Sequence, residues 1–129
     1  IDPEHFDFVA RAMRGVVAHG TARWGGSVYS VESAGKTSTS EVQGQEDHAW
    51  YTAFAPYLSE SPDEVIAVTA IIEHGGGGSA TAAPIVAEII EAYFAKTDLE
   101  TARRNNWRRR AEKYRRRQEQ DQDQPGEQP

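Results

Sequence analysis

Two short runs decide the fold: His48-Ala49-Trp50-Tyr51-Thr52-Ala53-Phe54-Ala55 (HAWYTAFA) and residues 65–72 (VIAVTAII). Each is nearly continuous in apolar character, too short for an ordinary buried helix, and rich in β-branched or aromatic residues. That combination predicts strands covered on both faces. The linker between them holds Pro56, Pro62 and Asp63, which suit a turn and not a strand interior.

Working outward, residues 27–32 alternate in a strand-like way and continue through Gly35-Lys36-Thr37-Ser38-Thr39 towards Val42. Polar residues 43–47 then turn the chain back. Before this strand, Asp2-Pro3-Glu4 reads as a helix start: a capping carboxylate, a proline tolerated in the first turn, and an acid at the positive end of the dipole. Phe6, Val9, Met13, Val16 and Val17 recur at helical spacing, and Gly20 can end that helix before a turn over residues 20–26. After the third strand, Gly75–Gly78 leads into a helix with Pro84 in its first turn. Ile85, Ile89 and Tyr93, with Val86, Ile90 and Phe94, give it a broad apolar face.

The order is helix, three strands, helix, with links of hairpin length, so the fold class is α+β: an antiparallel sheet with flanking helices. It reads as incomplete. Strands covered on both faces need a helical layer on each side, and two helices can both fall on one side. Residues 1–95 are therefore expected to leave an apolar patch for further chain to cover.

Charge divides the chain more sharply than the total suggests. The 129 residues carry a net charge of −6, from 14 Lys+Arg against 20 Asp+Glu. Residues 1–95 hold 4 basic and 13 acidic groups, whereas residues 96–129 hold 10 basic and 7 acidic ones. Nine of the basic groups fall between Arg103 and Arg117. The reading is an acidic globular part over 1–95 and a basic helix with a polar tail over 96–129. Thr97-Asp98-Leu99-Glu100 has the form of a capping box opening that helix. Trp107, Ala111 and Tyr114 fall on one side among arginines, and residues 118–129, with no apolar group to bury, are expected to be disordered. A basic helix could lie on anionic lipid or cell-wall polymer. The plainer expectation is a solvated charged helix, and no nucleic-acid partner is expected.

Composition excludes several chemistries. With no cysteine, there is no disulfide, thiolate metal site or cysteine nucleophile. His5, His19, His48 and His74 show no metal-ligand spacing, and no cofactor is expected. No apolar run approaches the roughly 20 residues of a membrane span. The opening Ile1-Asp2-Pro3 carries no initiator methionine or leader, which reads as a fragment of a longer chain.

The chemistry-bearing stretch is Ala34-Gly35-Lys36-Thr37-Ser38-Thr39. In register with it stand Arg14-Gly15-Val16-Val17 and Gly20-Thr21-Ala22 upstream. Downstream come His48-Ala49-Trp50-Tyr51, Phe54-Ala55-Pro56, Val65-Ile66-Ala67-Val68, Glu73-His74-Gly75-Gly76-Gly77-Gly78-Ser79 and Ala82-Ala83-Pro84-Ile85. Across roughly residues 5–95 this ordered set resembles the C-terminal part of the transpeptidase domain of class B penicillin-binding proteins. The His-Ala-Trp-Tyr and Glu-His-Gly-Gly-Gly-Gly-Ser elements most resemble penicillin-binding protein 2, the elongation enzyme. Such proteins use Ser-x-x-Lys, Ser-x-Asn and Lys-Thr-Gly motifs, and only the third can be placed here.

The resemblance implies roles. Lys36 would put positive charge in the cleft, and the Thr37 and Thr39 hydroxyls would bind a substrate or β-lactam carboxylate. The Thr39 backbone N–H would be one of two oxyanion donors, the other belonging to the nucleophile. Thr37 and Thr39, two apart on a strand, project to the same side. Ser38 stands where the family has glycine, at a substrate-binding position where a side chain adds bulk. The resemblance also implies serine acyl transfer on D-Ala-D-Ala stem peptides of peptidoglycan, with β-lactams trapped at the same serine. Its implied partners are the remainder of the transpeptidase domain and a shape-determining glycosyltransferase, on the outer face of the bacterial inner membrane. A degenerate, non-catalytic relative docking through its basic tail is the alternative.

Two look-alikes fail on geometry. Ser33-Ala34-Gly35-Lys36 matches Ser-x-x-Lys by letter, but residues three apart share a face on a helix and oppose one another on a strand. Gly35-Lys36-Thr37 lacks the leading glycine of a phosphate-binding loop, having Ser30 at that place. The nucleophile is therefore expected outside this chain.

Overall fold

The computed structural model describes residues 2–123. Helix α1 (Pro3–Ala18) starts where the sequence places it: the Asp2 carboxylate accepts the Glu4 N–H at 3.1 Å, with Pro3 in the first turn. Strands β1 (Ala34–Ser40), β2 (His48–Ala55) and β3 (Ile66–Ile72) follow, then helices α2 (Ala82–Ala95) and α3 (Leu99–Asp123). The sheet order is β1-β2-β3, with both pairs antiparallel. The α+β reading therefore holds.

The sheet buries one face, not two. Along β2, Ala49, Tyr51, Ala53 and Ala55 are buried, while the alternating His48, Trp50, Thr52 and Phe54 remain partly exposed. One cluster joins the inward set to Val17 and Ala22 at the end of α1 and to Ala82, Ala83, Val86 and Ile90 of α2. Both helices thus serve the same side. Density of apolar residues misled the expectation of two covered faces, because large side chains fall on both sides: Tyr51, Val68 and Ile72 point inward, while Trp50, Phe54 and Ile71 point to the open side. Phe6, Phe8 and Val9 on α1 are also exposed, each by more than half. An uncovered apolar surface is what the sequence predicts for this part of the chain.

Two further expectations are corrected. Residues 27–33 form no strand. Their backbone donors turn instead to the Glu91 carboxylate on α2, which accepts the Tyr29 N–H at 2.7 Å, the Ser30 N–H at 3.0 Å and the Ser30 hydroxyl at 3.2 Å. Those donors being satisfied elsewhere, the segment has no need of a sheet partner. The expected disorder over residues 118–129 also begins too early, since α3 continues to Asp123, and the remainder of that segment lies outside the described residues.

Helix α3 is not a solvated rod. It is capped by Asp98, which accepts the Thr101 N–H at 2.9 Å, and not by Thr97. That bond holds the Asp98 carboxyl below its usual range. Ala102 and Asn106 are buried against the body. Arg109 pairs with Glu91 at 3.2 Å, and Arg110 donates to the Gly25 carbonyl at 2.6 Å. Burial lowers the Arg110 pKa below its ordinary value. Trp107, Ala111 and Tyr114, read from sequence as one stripe, are all exposed. Among the described residues, no helix is long and apolar enough to cross a membrane.

Candidate active-site strand

Strand β1 is an edge strand, and that position gives its residues their access. Pairing sets Thr37 opposite Tyr51 and Thr39 opposite Ala49, so both threonines stand on the helix-covered side of the sheet. Lys36, opposite Thr52, and Ser38, opposite Trp50, stand on the open side. Lys36, Ser38 and Thr39 are exposed, and Thr37 is partly so. As an edge, β1 also leaves backbone donors and acceptors unpaired by a third strand.

Three contacts fix this strand. The Thr37 hydroxyl shares a hydrogen bond of 2.8 Å with the Thr21 hydroxyl, tying the strand to the turn after α1. The Lys36 ammonium folds back to donate to the Thr37 carbonyl. Upstream, Arg14 reaches the Glu32 carboxylate at 2.7 Å and the Ser33 carbonyl at 3.4 Å, anchoring the approach to β1 on α1. Beneath the strand runs the glycine-rich loop. A β-carbon at Gly78 would collide with the Trp50 and Ser38 carbonyls, so glycine is what allows this loop to lie against the β1–β2 ladder.

The close approach that sequence reasoning assigned to position 38 therefore falls on its neighbour across the loop. The Ser38 side chain itself is exposed, which explains how a residue larger than glycine is accommodated. Ser33, the letter-match to a nucleophile, is buried just before β1 and lies on no helix.

The strand thus carries two threonine hydroxyls on one face and the Lys36 ammonium on the other, with an open edge between them. An ammonium and unpaired backbone N–H groups are the kinds of donor that attract anions in general. Sequence reasoning missed two clusters. The first is Glu91, whose signal was an acid on the buried stripe Val86-Ala87-Ile90 of α2. The second joins the strand ends: the His74 N–H donates to His48 Nδ1 at 3.0 Å, and His74 Nδ1 lies 2.9 Å from the Glu46 carbonyl. Among the described residues, no three His, Cys, Asp or Glu side chains are grouped to hold a metal.

The fold is a three-stranded antiparallel sheet with helices on one face, and Lys-Thr-x-Thr runs along its edge strand. The family model for the penicillin-binding protein transpeptidase domain matches residues 1–91, and the chain belongs to that family. It is similar to the peptidoglycan D,D-transpeptidase MrdA of Haemophilus influenzae, 40% identical over 68 residues that make up 52% of this chain and 10% of the relative. The MrdA protein of Salmonella typhimurium is 44% identical over 48 residues, 37% of this chain and 7% of the relative. Among solved structures, Pseudomonas aeruginosa PBP2 in complex with WCK 5153 superposes with a TM-score of 0.60 at 38% identity, covering 71% of this chain and 20% of that one. The imipenem acyl-enzyme complex of penicillin-binding protein A from M. tuberculosis gives a TM-score of 0.55 at 30% identity, covering 72% and 20%. The chain thus spans about a tenth of the curated relatives' length.

Proposed function

We propose that this chain is part of a serine D,D-transpeptidase that cross-links peptidoglycan during cell-wall elongation. Its share of the work is one wall of the cleft, and the nucleophile comes from elsewhere in the parent protein. Lys36 supplies positive charge. The Thr37 and Thr39 hydroxyls, with Ser38 between them, hold the terminal carboxylate of a D-Ala-D-Ala stem peptide or of a β-lactam, and the Thr39 backbone N–H helps hold the oxyanion. The serine forms an acyl-enzyme that an acceptor amine resolves. The remainder of the transpeptidase domain covers the open face of the sheet around Trp50 and Phe54. On this reading the parent works at the outer face of the bacterial inner membrane alongside a shape-determining glycosyltransferase. Residues 1–95 form the transpeptidase portion, and residues 96–129 are an appended basic segment.

The observation that carries this reading is the exposed edge strand with Lys36 and Thr39 open to solvent, in a chain of this family. Incubation with fluorescent penicillin tests it. This chain alone should show no covalent label, whereas the parent protein should label at a serine and lose labelling when Thr39 is replaced by valine. A serine adduct on this chain, or full labelling of the Thr39→Val parent, would overturn the assignment. The second reading, a non-catalytic binding module, draws support from Ser38 and from the ordered basic helix α3.

A further inference from the structure

Helix α3 lies beyond the residues matched to the transpeptidase family, and its cationic face is not used by the chemistry above. Arg109, Lys113 and Arg116 recur at helical spacing, so they share one side of α3. That side faces the turn after α1, and between them lies a cavity of about 700 Å³ that these three line together with Arg23, Trp24 and Arg117. The volume is in the usual range for a small-molecule site. Among the described residues, its lining holds one carboxylate, Glu112, against these five cations, of which Arg109 is paired with Glu91.

The cations do not spread away from one another. The Arg23 guanidinium stands 5.2 Å from the centre of the Trp24 ring, the Lys113 ammonium 5.4 Å and the Arg117 guanidinium 5.6 Å. The electron-rich indole face offsets part of their mutual repulsion. Gathering the Arg23 and Lys113 charges on one ring, with Arg116 lining the same cavity, is nevertheless an arrangement that an anion would complete. The walls are held in place independently of any ligand: Arg110 is tied to the Gly25 carbonyl at 2.6 Å, and Arg109 to Glu91 at 3.2 Å. The cleft is therefore built before an anion arrives, which lowers the ordering cost of binding.

We infer that this cleft binds the phosphate groups of a phosphorylated ligand, with Arg23, Lys113, Arg116 and Arg117 contacting the oxygens and Trp24 flooring the site. Guanidinium and ammonium groups together match phosphate oxygens through charge-assisted hydrogen bonds. The same chemistry is offered by a soluble phosphate and by a phospholipid headgroup.

The test uses the full chain at low salt. One arm titrates inorganic pyrophosphate by calorimetry, and the other floats the chain with phosphatidylglycerol vesicles, using phosphatidylcholine vesicles as the neutral control. Lys113→Glu with Arg116→Glu changes two cleft residues. Arg108→Glu with Arg115→Glu makes the same change in charge on exposed residues outside the cleft. The cleft pair should weaken binding by about tenfold or more, and the outer pair should change it by less than about threefold. Pyrophosphate binding with this ranking identifies a soluble phosphate, and flotation with phosphatidylglycerol alone, in the same ranking, identifies a headgroup. Equal losses for the two pairs, or binding to neither probe, would overturn the site. If the cleft pair alters the circular dichroism spectrum, Lys113→Gln with Arg116→Gln replaces it under the same criteria.

Discussion

The Tyr51 hydroxyl occupies the space in which a β-carbon at Gly35 would stand. Tyr51 is fully buried at the centre of β2, and its ring lies beneath both Gly35 of β1 and Gly26 of the preceding turn. Absence of a side chain at Gly35 is therefore what lets β1 close over the core immediately before Lys36. The glycine of the Ala-Gly-Lys-Thr stretch thus has a packing role that positions the candidate site.

A substitution series follows from that contact. Gly35→Ala and Gly26→Ala should each destabilise the chain by about 2–4 kcal/mol, since overpacking a tight core forces backbone shifts. Tyr51→Phe should return more of the loss at Gly26 than at Gly35. At Gly35 an added carbon would still meet the Thr52 carbonyl at 2.9 Å, a backbone atom that cannot turn aside. Urea denaturation midpoints read the ordering. Additive effects of the Tyr51 and glycine substitutions would show that the hydroxyl is not the obstacle.

Burial pushes the Tyr51 pKa up to about 12. A folded-state value above the unfolded one means that the unfolded chain ionises first as pH rises. Stability from this group is fully present below pH ~10 and is lost between about 10 and 12, by about 2–3 kcal/mol. Because the buried Tyr51 hydroxyl has no hydrogen-bond partner, Tyr51→Phe should be at least as stable as the native chain at neutral pH, and the native melting temperature should fall progressively below that of Tyr51→Phe across that window. Parallel curves would show that the hydroxyl ionises equally in both states.

Glu91 unites three segments, and its removal should be felt in all of them. It accepts the Tyr29 and Ser30 N–H groups and pairs with Arg109, while itself almost wholly buried. Glu91→Ala leaves two backbone donors without their acceptor, at an expected cost of about 3 kcal/mol. Hydrogen exchange should quicken at Tyr29 and Ser30 and along α3, but not in β2 or β3. Uniform acceleration across the sheet would mean that the carboxylate acts on global stability alone.

These contacts explain which parts of the molecule were legible in the sequence. Helix α1 and strands β2 and β3 were, because capping residues and dense apolar runs are local signals. The Lys36-Thr37-Ser38-Thr39 strand was legible through its motif and its spacing from neighbouring elements. The loop at 27–33 was not, since its conformation is set by Glu91, some sixty residues away in sequence. The docking of α3 was hidden for a related reason. Ala102 and Asn106, which bury it, look unremarkable amid arginines, and periodicity drew attention to Trp107 and Tyr114, which stay exposed. One-sided coverage of the sheet could not be read from strands that carry large apolar residues on both faces, Tyr51 and Ile72 inward and Trp50 and Ile71 outward.

Asn106 illustrates that docking most directly. It is completely buried, and neither its side-chain oxygen nor its nitrogen has a hydrogen-bond partner. An unpaired buried amide costs about 1–3 kcal/mol, so replacing it with an apolar residue of similar branching should be favourable. Asn106→Leu is expected to raise the melting temperature, read by circular dichroism. A fall of several degrees would show that the amide is satisfied in solution or that the site is too tight for leucine.

The last prediction separates position 38 from the loop beneath it. Ser38 is exposed on the open side, whereas its backbone carbonyl lies against Gly78. Ser38→Gly should therefore change stability by less than about 0.5 kcal/mol, as expected of a surface position free of packing constraints. On the proposed function, it should raise the acylation rate of the parent protein by a β-lactam, because it removes bulk from the strand face that also carries Lys36. Gly78→Ala should do the reverse, pushing β1 away from its place and lowering both stability and acylation. Stopped-flow acylation of the two variants reads the contrast. An unchanged or slower rate for Ser38→Gly would mean that serine is native to this cleft and that the strand's position, set by Gly78, governs reactivity instead.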